Sequence, residues 1–154
     1  MNRLKIPLLM VLALAMLAGC GNGSESGEAS GEESLRPATA QELAGRAFTS
    51  TSVTGRELVP QSSISLEFTE ETLGFRAGCN SNLGKYRIRK GNLKFSPGPS
   101  TLMGCPEELM AQDDWLRAFL ADGVRADLGD DRLVLSGSDD VTIELEETEP
   151  LASS

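Results

Sequence analysis

Apolar and polar residues alternate along much of the chain after residue 43. Every second side chain is apolar in residues 64–68, and the same alternation recurs in residues 73–77 and 86–89. A period of two places the apolar side chains on one face of a strand, so these runs predict half-buried β-strands. Similar alternation predicts further strands at residues 93–95, 124–128, 133–135 and 141–145, and the Thr/Ser-rich segment at residues 48–53 is expected to be a first strand.

Turn residues separate these runs. Gly91-Asn92 stands between two alternating segments and predicts a tight hairpin. Asp130-Asp131 and residues 137–140 supply turns between the last three strands. Short strands at this spacing predict a mainly β domain, built as a small antiparallel barrel-like or strongly curved sheet.

One segment, about residues 106–122, has the period of an α-helix. Pro106 suits the first helical position because its missing N–H is not needed there, and the two glutamates that follow suit the positive end of the helix dipole. Gly123 is well placed to end the helix. We expect the apolar face of this helix to cover an open end or a gap in the sheet. That face carries Leu109, Leu116, Phe119 and Leu120.

The N-terminal segment, residues 1–19, has the composition of an export signal peptide. Two basic residues precede an apolar run at residues 6–18, which is shorter than the roughly 20 residues of a membrane-spanning helix. Residues 17–20, Leu-Ala-Gly-Cys, resemble a bacterial lipobox. The resemblance implies that Cys20 is lipidated and becomes the first residue of the mature protein. The alternative is a short signal peptide followed by a chance cysteine.

A lipid anchor holds a protein at a bilayer without a spanning helix, and several acyl chains hold it stably. Residues 20–41 are expected to form the lipidated cysteine and a flexible acidic tether of Gly, Ser and Glu, because such a composition buries too little apolar surface to offset the entropy of ordering. The alternative is an acidic binding tail. We therefore expect an envelope lipoprotein that faces the periplasm. Where the cell has two membranes the outer one is favoured, since Gly21 is not the aspartate that favours inner-membrane retention.

The folded domain is expected at residues 42–147, and residues 148–154 are expected to be a disordered tail. Removal of the signal peptide takes away two of the 14 basic residues and none of the 23 acidic ones, which leaves a net charge of −11. Such a charge repels nucleic acid and anionic lipid headgroups. Nucleic acid is therefore not an expected partner.

Two sequence motifs resemble those of a known family. They are Gly78-Cys79-Asn80 followed by Gly84-x-Tyr86, and Thr101-x-Met103-x-Cys105 directly before the predicted helix. Together, after a lipobox, they resemble the META domain, the HslJ-like family, over roughly residues 42–147. The resemblance implies a small, mainly β, barrel-like domain with one helix. It also implies a role in heat-shock response and novobiocin tolerance, without an established molecular activity. Many members carry a tryptophan in the first strand, where this chain has Phe48.

The three cysteines have different expected fates. With Cys20 assigned to lipid, Cys79 and Cys105 remain, and an even pair in a small exported domain favours a disulfide bond. A redox-active pair is an alternative, because nearby Lys85 or Arg87 could activate a thiol. A metal site needs three or four Cys or His ligands, which the chain does not offer. Two reduced structural cysteines are the remaining alternative.

The other polar residues do not suggest catalysis. The chain has no histidine, which removes the usual Cys–His and Ser–His–Asp arrangements. Asn80 and Asn82 suit a turn. No catalytic residue, metal or cofactor is predicted. Three acidic pairs are expected on the solvated surface rather than as acid–base or calcium groups: Asp113-Asp114, Asp130-Asp131 and Asp139-Asp140.

Three functions fit these observations. The first is a non-enzymatic, membrane-anchored protein that acts in stress tolerance by binding an unknown protein or small-molecule ligand. The alternative is an inhibitor or sequestering module for an envelope hydrolase or a cationic ligand, which the negative charge would attract. The third is an enzyme, either a thiol redox enzyme or a carboxylate hydrolase. The lack of a recognisable catalytic set favours the first.

Overall fold

A computed structural model describes residues 34–150 of the protein. The predicted signal peptide, Cys20 and most of the predicted tether lie outside these residues, as do residues 151–154 of the predicted tail. Within residues 34–150 the chain forms nine strands and two helices. The strands are β1 (Arg36–Pro37), β2 (Ala47–Thr54), β3 (Ser65–Phe68), β4 (Thr72–Arg76), β5 (Asn82–Arg89), β6 (Asn92–Ser100), β7 (Val124–Leu128), β8 (Arg132–Ser136) and β9 (Thr142–Thr148). The helices are α1 (Ala40–Leu43) and α2 (Glu107–Asp122).

All strands belong to one antiparallel sheet in the order β1-β7-β6-β5-β4-β3-β2-β9-β8. Strands β7 and β8 also pair with each other, so strands β2 to β9 close into a ring. The short strand β1 adds to β7 beyond the segment that pairs with β6. The prediction of a mainly β domain with a strongly curved sheet is confirmed.

The alternation of apolar residues along the strands builds a single core. Phe48 pairs with Leu66 in the β2–β3 register, and both side chains are buried. Leu135 and Ile143 do the same between β8 and β9. Among the described residues, the core cluster extends from Ala38, before α1, to Leu145 in β9.

The β5–β6 hairpin turns at Lys90 and Gly91, both of which have positive φ (52° and 76°). Two positive φ values define the mirror-image turn whose twist matches that of the strands. The sequence pattern placed this turn one residue later, at Gly91-Asn92. Asn92 is instead the first residue of β6 and pairs with Arg89.

The fold begins earlier than the predicted boundary at residue 42. Strand β1 pairs with β7, and Ala38 is buried in the core, so residues 36–41 are part of the domain rather than of a tether. Thr39 and Glu42 form a reciprocal capping box that starts α1. Hydrogen bonds from Thr39 and then from Arg36 lower the pKa of Glu42. At the other end β9 continues to Thr148, one residue into the predicted tail.

Helix α2 confirms the predicted helix almost residue for residue. Pro106 is its N-cap rather than its first helical residue, and Gly123, with φ of 99°, follows its last turn. Leu116 and Leu120 are fully buried, whereas Leu109 and Phe119 are half-buried. Within residues 34–150 no helix has the length and apolar character needed to cross a membrane.

Candidate binding site

The segment between β4 and β5 wraps around one carboxylate of helix α2. Asp113 Oδ1 accepts hydrogen bonds from the backbone N–H groups of Ala77 (3.1 Å) and Gly78 (2.8 Å). Its Oδ2 accepts from Cys79 (3.0 Å) and Asn80 (2.6 Å). Four successive N–H groups thus converge on one anion, in hydrogen bonds that the negative charge strengthens.

The expectation that Asp113 lies on the solvated surface is therefore wrong. Its side chain is only 2% exposed, because the backbone donors of the β4–β5 segment replace its water. Its neighbour Asp114 is exposed, as expected, and pairs with Arg117 at 2.9 Å. The Asp130-Asp131 and Asp139-Asp140 pairs are exposed in the turns that precede β8 and β9.

A disulfide bond joins the same segment to the residue before the N-cap of α2. Cys79 and Cys105 are bridged, with a Cα–Cα distance of 6.3 Å. This distance is within the usual range for disulfides. In this state neither sulfur is available as a thiolate nucleophile or a metal ligand.

Asn80 holds the loop that leads into the helix. Its Oδ1 accepts hydrogen bonds from the Thr101 hydroxyl (3.1 Å) and from the Met103 backbone N–H (2.8 Å). The Thr101 hydroxyl in turn accepts from the backbone N–H of Ser81 at 3.0 Å. Residues 101–105, here called the clamped loop, are therefore fixed at Thr101, at Met103 and, through the disulfide, at Cys105.

The clamped loop presents apolar side chains to solvent. Leu102 is 97% exposed and Met103 is 58% exposed. The loop therefore combines a rigid backbone with an apolar tip.

Two further buried polar side chains, Asn82 and Gln112, add hydrogen bonds between the β4–β5 segment, helix α2 and neighbouring residues. Asn82 donates to the Asn80 carbonyl oxygen at 3.1 Å, and its own Oδ1 accepts from Arg117 Nε at 3.1 Å. Gln112 on α2 accepts from the Val59 backbone N–H at 2.6 Å and donates to the Ser62 hydroxyl at 2.9 Å and to the Ala77 carbonyl. Within residues 34–150, every fully buried side-chain nitrogen or oxygen has a hydrogen-bond partner.

Sequence reasoning missed the roles of Gln112 and Asp113. The available signal was their position, because they lie between Leu109 and Leu116 on the side of the helix that faces the domain. A glutamine and an aspartate at such positions indicate buried hydrogen-bond partners rather than solvent.

The two motif glycines allow close approach of neighbouring groups. A Cβ atom at Gly78 would lie under 3.0 Å from the Leu109 carbonyl oxygen of α2. A Cβ atom at Gly84 would meet the Phe95 ring and the Ser96 carbonyl equally closely. Both positions therefore require glycine for packing.

Tyr86 connects three parts of the domain. Its ring packs edge-to-face on Phe68, with 5.3 Å between ring centroids. Its hydroxyl donates to the Thr69 carbonyl at 2.9 Å and lies 3.3 Å from the Ala40 carbonyl. Burial raises the pKa of this phenol.

An open groove of about 600 Å³ runs along the outer face of strands β2 to β5, beside the clamped loop. The small residues Gly74 and Ala47 form part of its floor and leave space above them. The side chain of Leu83, 45% exposed, also lines the groove. Its lining includes Asn82 and Thr101, so the clamped segments form part of its wall. Its size and largely apolar character are typical of a small-molecule or peptide site.

The groove also contains the charged side chains of Glu67 and Arg76. Arg76 donates to the Ser81 hydroxyl at 2.9 Å, and Glu67 lies on the neighbouring strand. Neither side chain forms an ion pair with another described residue. Among residues 34–150 no group of three or more Cys, His, Asp or Glu side chains is arranged to hold a metal ion.

These features define a small, mainly β domain in which a disulfide, a buried carboxylate and two buried asparagines fix one loop beside an open groove. The family model of the META domain matches residues 41–150. The chain belongs to the META domain family, which is the HslJ-like family. The resemblance inferred from the two cysteine motifs is thereby confirmed.

Solved structures show the same fold. The chain is similar to the NMR structure of a protein from Burkholderia xenovorans, with a TM-score of 0.59 and 18% identity over 82% of this chain and 97% of that one. It is also similar to a second protein solved by NMR, with a TM-score of 0.55 and 20% identity over 71% of this chain and 94% of that one. These likenesses concern the fold alone. A comparison with curated proteins gives no significant match.

Proposed function

We propose that the protein is a membrane-anchored envelope lipoprotein whose META domain acts in stress tolerance by binding, not by catalysis. The anchor rests on the lipobox-like sequence that ends at Cys20. The binding role rests on the groove beside the clamped loop. The family motif residues support a binding role, because they hold the backbone and the clamped loop in place and do not present a reactive group.

The observation that carries the binding role is the pre-organisation of this surface. Asn80, Asp113 and the Cys79–Cys105 bridge hold both segments that border the groove. A site that is already ordered loses less conformational entropy when a ligand binds. The occupant we propose is a protein segment or small molecule with an apolar part for Leu83 and polar groups for Glu67 and Arg76.

The groove can be filled without disturbing the fold. A Cβ atom at Gly74 would meet its nearest neighbour, Leu83 Cδ1, at 3.8 Å, which is an ordinary contact. The change Gly74→Val also favours a strand. Thr54→Val is a matched control, because Thr54 is an exposed strand residue outside the groove.

The test is capture from an envelope extract with immobilised wild-type and variant domains, followed by mass spectrometry. A species retained by the wild type and by Thr54→Val but lost by Gly74→Val supports the groove as the binding site. Equal retention by all three proteins, with unchanged thermal unfolding, contradicts it.

A second candidate, an inhibitor of an envelope hydrolase, is favoured by the exposed Leu102. A fixed loop with an apolar tip can enter a cleft with little loss of entropy. In that case Leu102→Ser should abolish binding to the hydrolase and Gly74→Val should leave it unchanged. Leu35→Ser is the control, since Leu35 is also exposed (38%) but lies outside the clamped loop. A sequestered cationic ligand would instead show binding that weakens strongly with salt.

The anchor is tested separately. In a bacterial host, Cys20→Ala should lose incorporation of labelled palmitate and leave the membrane fraction, whereas Ser26→Ala should behave as the wild type. We propose that the domain faces the periplasm, at the outer membrane where there are two. Palmitate label that persists in Cys20→Ala would contradict lipidation at this cysteine.

A further inference from the structure

The basic residues of this acidic protein are concentrated in one hairpin. The chain has a net charge of −9, yet residues 77–106 contain five basic residues and no acidic one. The net charge of the whole chain does not reveal this local excess. The five residues are Lys85, Arg87, Arg89, Lys90 and Lys94.

Four of these side chains lie on one exposed side of the β5–β6 hairpin, and the fifth, Lys90, is exposed at its turn. Along β5 the exposed Arg87 and Arg89 alternate with the half-buried Tyr86 and Ile88. Arg87 pairs directly with Lys94 of β6. Lys85 lies two residues before Arg87, on the same side of β5, and Lys90 lies at the turn. We call this surface the basic hairpin face.

The basic hairpin face is hardly neutralised by the rest of the domain. Only Lys85 has an ion pair, with Glu71 at 3.6 Å, and both side chains are more than 75% exposed, so the pair contributes little. The other four have no carboxylate partner among residues 34–150. In contrast, five arginines elsewhere are ion-paired: Arg36, Arg46, Arg117, Arg125 and Arg132.

The chain enters the domain beside the turn of this hairpin. A Cβ atom at Gly91 would lie 2.8 Å from Pro37 Cβ, so strand β1 touches the turn. The Gly91 carbonyl also accepts from the N–H of Ala126 at 2.7 Å, and Ala126 belongs to β7, the strand that pairs with β1. The clamped loop follows β6, at the opposite end of the hairpin.

We propose that the basic hairpin face binds the phosphate headgroups of an anionic bilayer. Clusters of basic side chains are attracted to anionic lipids when they lie within about one Debye length of the membrane surface. The tether that would lead to Cys20 leaves the domain at this same end, so an anchor would bring the face to the bilayer. The anionic bilayer would repel the rest of the domain, which is acidic. The clamped loop would then point away from the membrane.

Binding of this face would orient the domain of the proposed lipoprotein on the membrane. The lipid anchor is not required for it, because the affinity for anionic lipid is a property of the folded domain. The test therefore uses residues 34–154, which lack Cys20 and contain the core cluster of the described residues. The same fold takes up 97% and 94% of the chains of two solved structures, so it forms there without a further large domain. The assay is flotation with vesicles of phosphatidylcholine alone or of equal parts phosphatidylcholine and phosphatidylglycerol, at low and high salt.

We expect binding to the mixed vesicles that is lost at high salt, and none to phosphatidylcholine alone. The pair Arg87→Gln/Lys94→Gln should weaken binding by about 25-fold, at roughly fivefold for each basic residue. The control pair Arg56→Gln/Arg132→Gln removes the same charge from surfaces outside the hairpin and the groove and should have a much smaller effect. Equal loss in both pairs would overturn the proposal, provided that thermal unfolding shows all variants folded.

Two other occupants are separated by the same assay. A chain that starts at residue 21 adds four glutamates of the tether. If only this longer chain fails to bind, its own acidic segment occupies the face and the proposal is wrong. If the domain binds a DNA oligonucleotide but not the mixed vesicles, the face recognises a soluble polyanion and the proposal is again wrong.

Discussion

The carboxylate of Asp113 accepts the backbone N–H of Asn80 at 2.6 Å, from a helix that lies more than 30 positions further along the chain. The side chain of Asn80 then accepts the N–H of Met103 at 2.8 Å. One buried anion is thus connected through a single residue to the exposed clamped loop. The stability of the domain and the shape of its candidate site depend on the same few hydrogen bonds.

Asp113→Asn should destabilise the domain strongly. The amide has one oxygen where the carboxylate has two, so its NH₂ group would face two of the four backbone donors. We expect a loss of about 3 kcal/mol in the free energy of unfolding, because buried donors are left without a partner. Urea unfolding of the oxidised domain measures it. Asp114→Asn is the control, since this exposed group should cost less than about 1 kcal/mol; similar losses in both variants would contradict the role of Asp113.

Gly78→Ala should also destabilise the domain, through packing. The new methyl group would press on the Leu109 carbonyl of α2, and overpacking of this kind costs about 1–3 kcal/mol. Gly104→Ala is a matched control in the clamped loop, because a Cβ atom there meets nothing within 4 Å. Thermal unfolding should separate the two variants, and an unchanged midpoint for Gly78→Ala would show that the helix can shift at no cost.

The disulfide bond should contribute about 3–4 kcal/mol, because it closes a loop of 26 residues and restricts the unfolded chain. Unfolding curves of residues 34–154 with and without reductant measure this difference. In unfolded, unreduced protein, an alkylating reagent should label neither Cys79 nor Cys105. Labelling of both would mean that the bridge does not form in solution.

The sequence predicts most of the fold because strand burial follows a local rule. The period of two predicts that Leu73 and Phe75 face inward without any knowledge of the neighbouring strands. Several such runs together predict the curved sheet. Helix α2 is equally local, since Pro106 and Gly123 mark its ends. Strand β1 has only two residues and therefore no period, although the Thr39–Glu42 capping box beside it was readable.

The site was less predictable because its chemistry depends on distant contacts. Asp113 is a surface residue by type, and only the folded β4–β5 segment supplies the donors that allow its burial. The motif residues Asn80 and Thr101 stand out in the sequence, but nothing local shows that they hydrogen-bond to each other. The groove depends on Gly74 and Leu83 from neighbouring strands, which the register brings together.

Tyr86 should make the domain less stable at alkaline pH. Burial raises the pKa of its phenol above the ordinary value of 10.0, so the folded state holds this proton more tightly than the unfolded chain. The stabilisation is complete below the unfolded pKa and is lost as the pH rises through the folded pKa. The phenolate also cannot donate to the Thr69 carbonyl.

Tyr86 is the only tyrosine in the chain, so phenolate absorbance titrates it directly. The midpoint should be higher in the native domain than in the same domain unfolded in urea. Tyr86→Phe keeps the ring on Phe68 and should cost about 1 kcal/mol at neutral pH through the lost hydrogen bond, while reducing the loss of stability at alkaline pH. A native midpoint at or below the unfolded one would show that solvent reaches this hydroxyl and that it does not hold α1 to the β3–β4 turn.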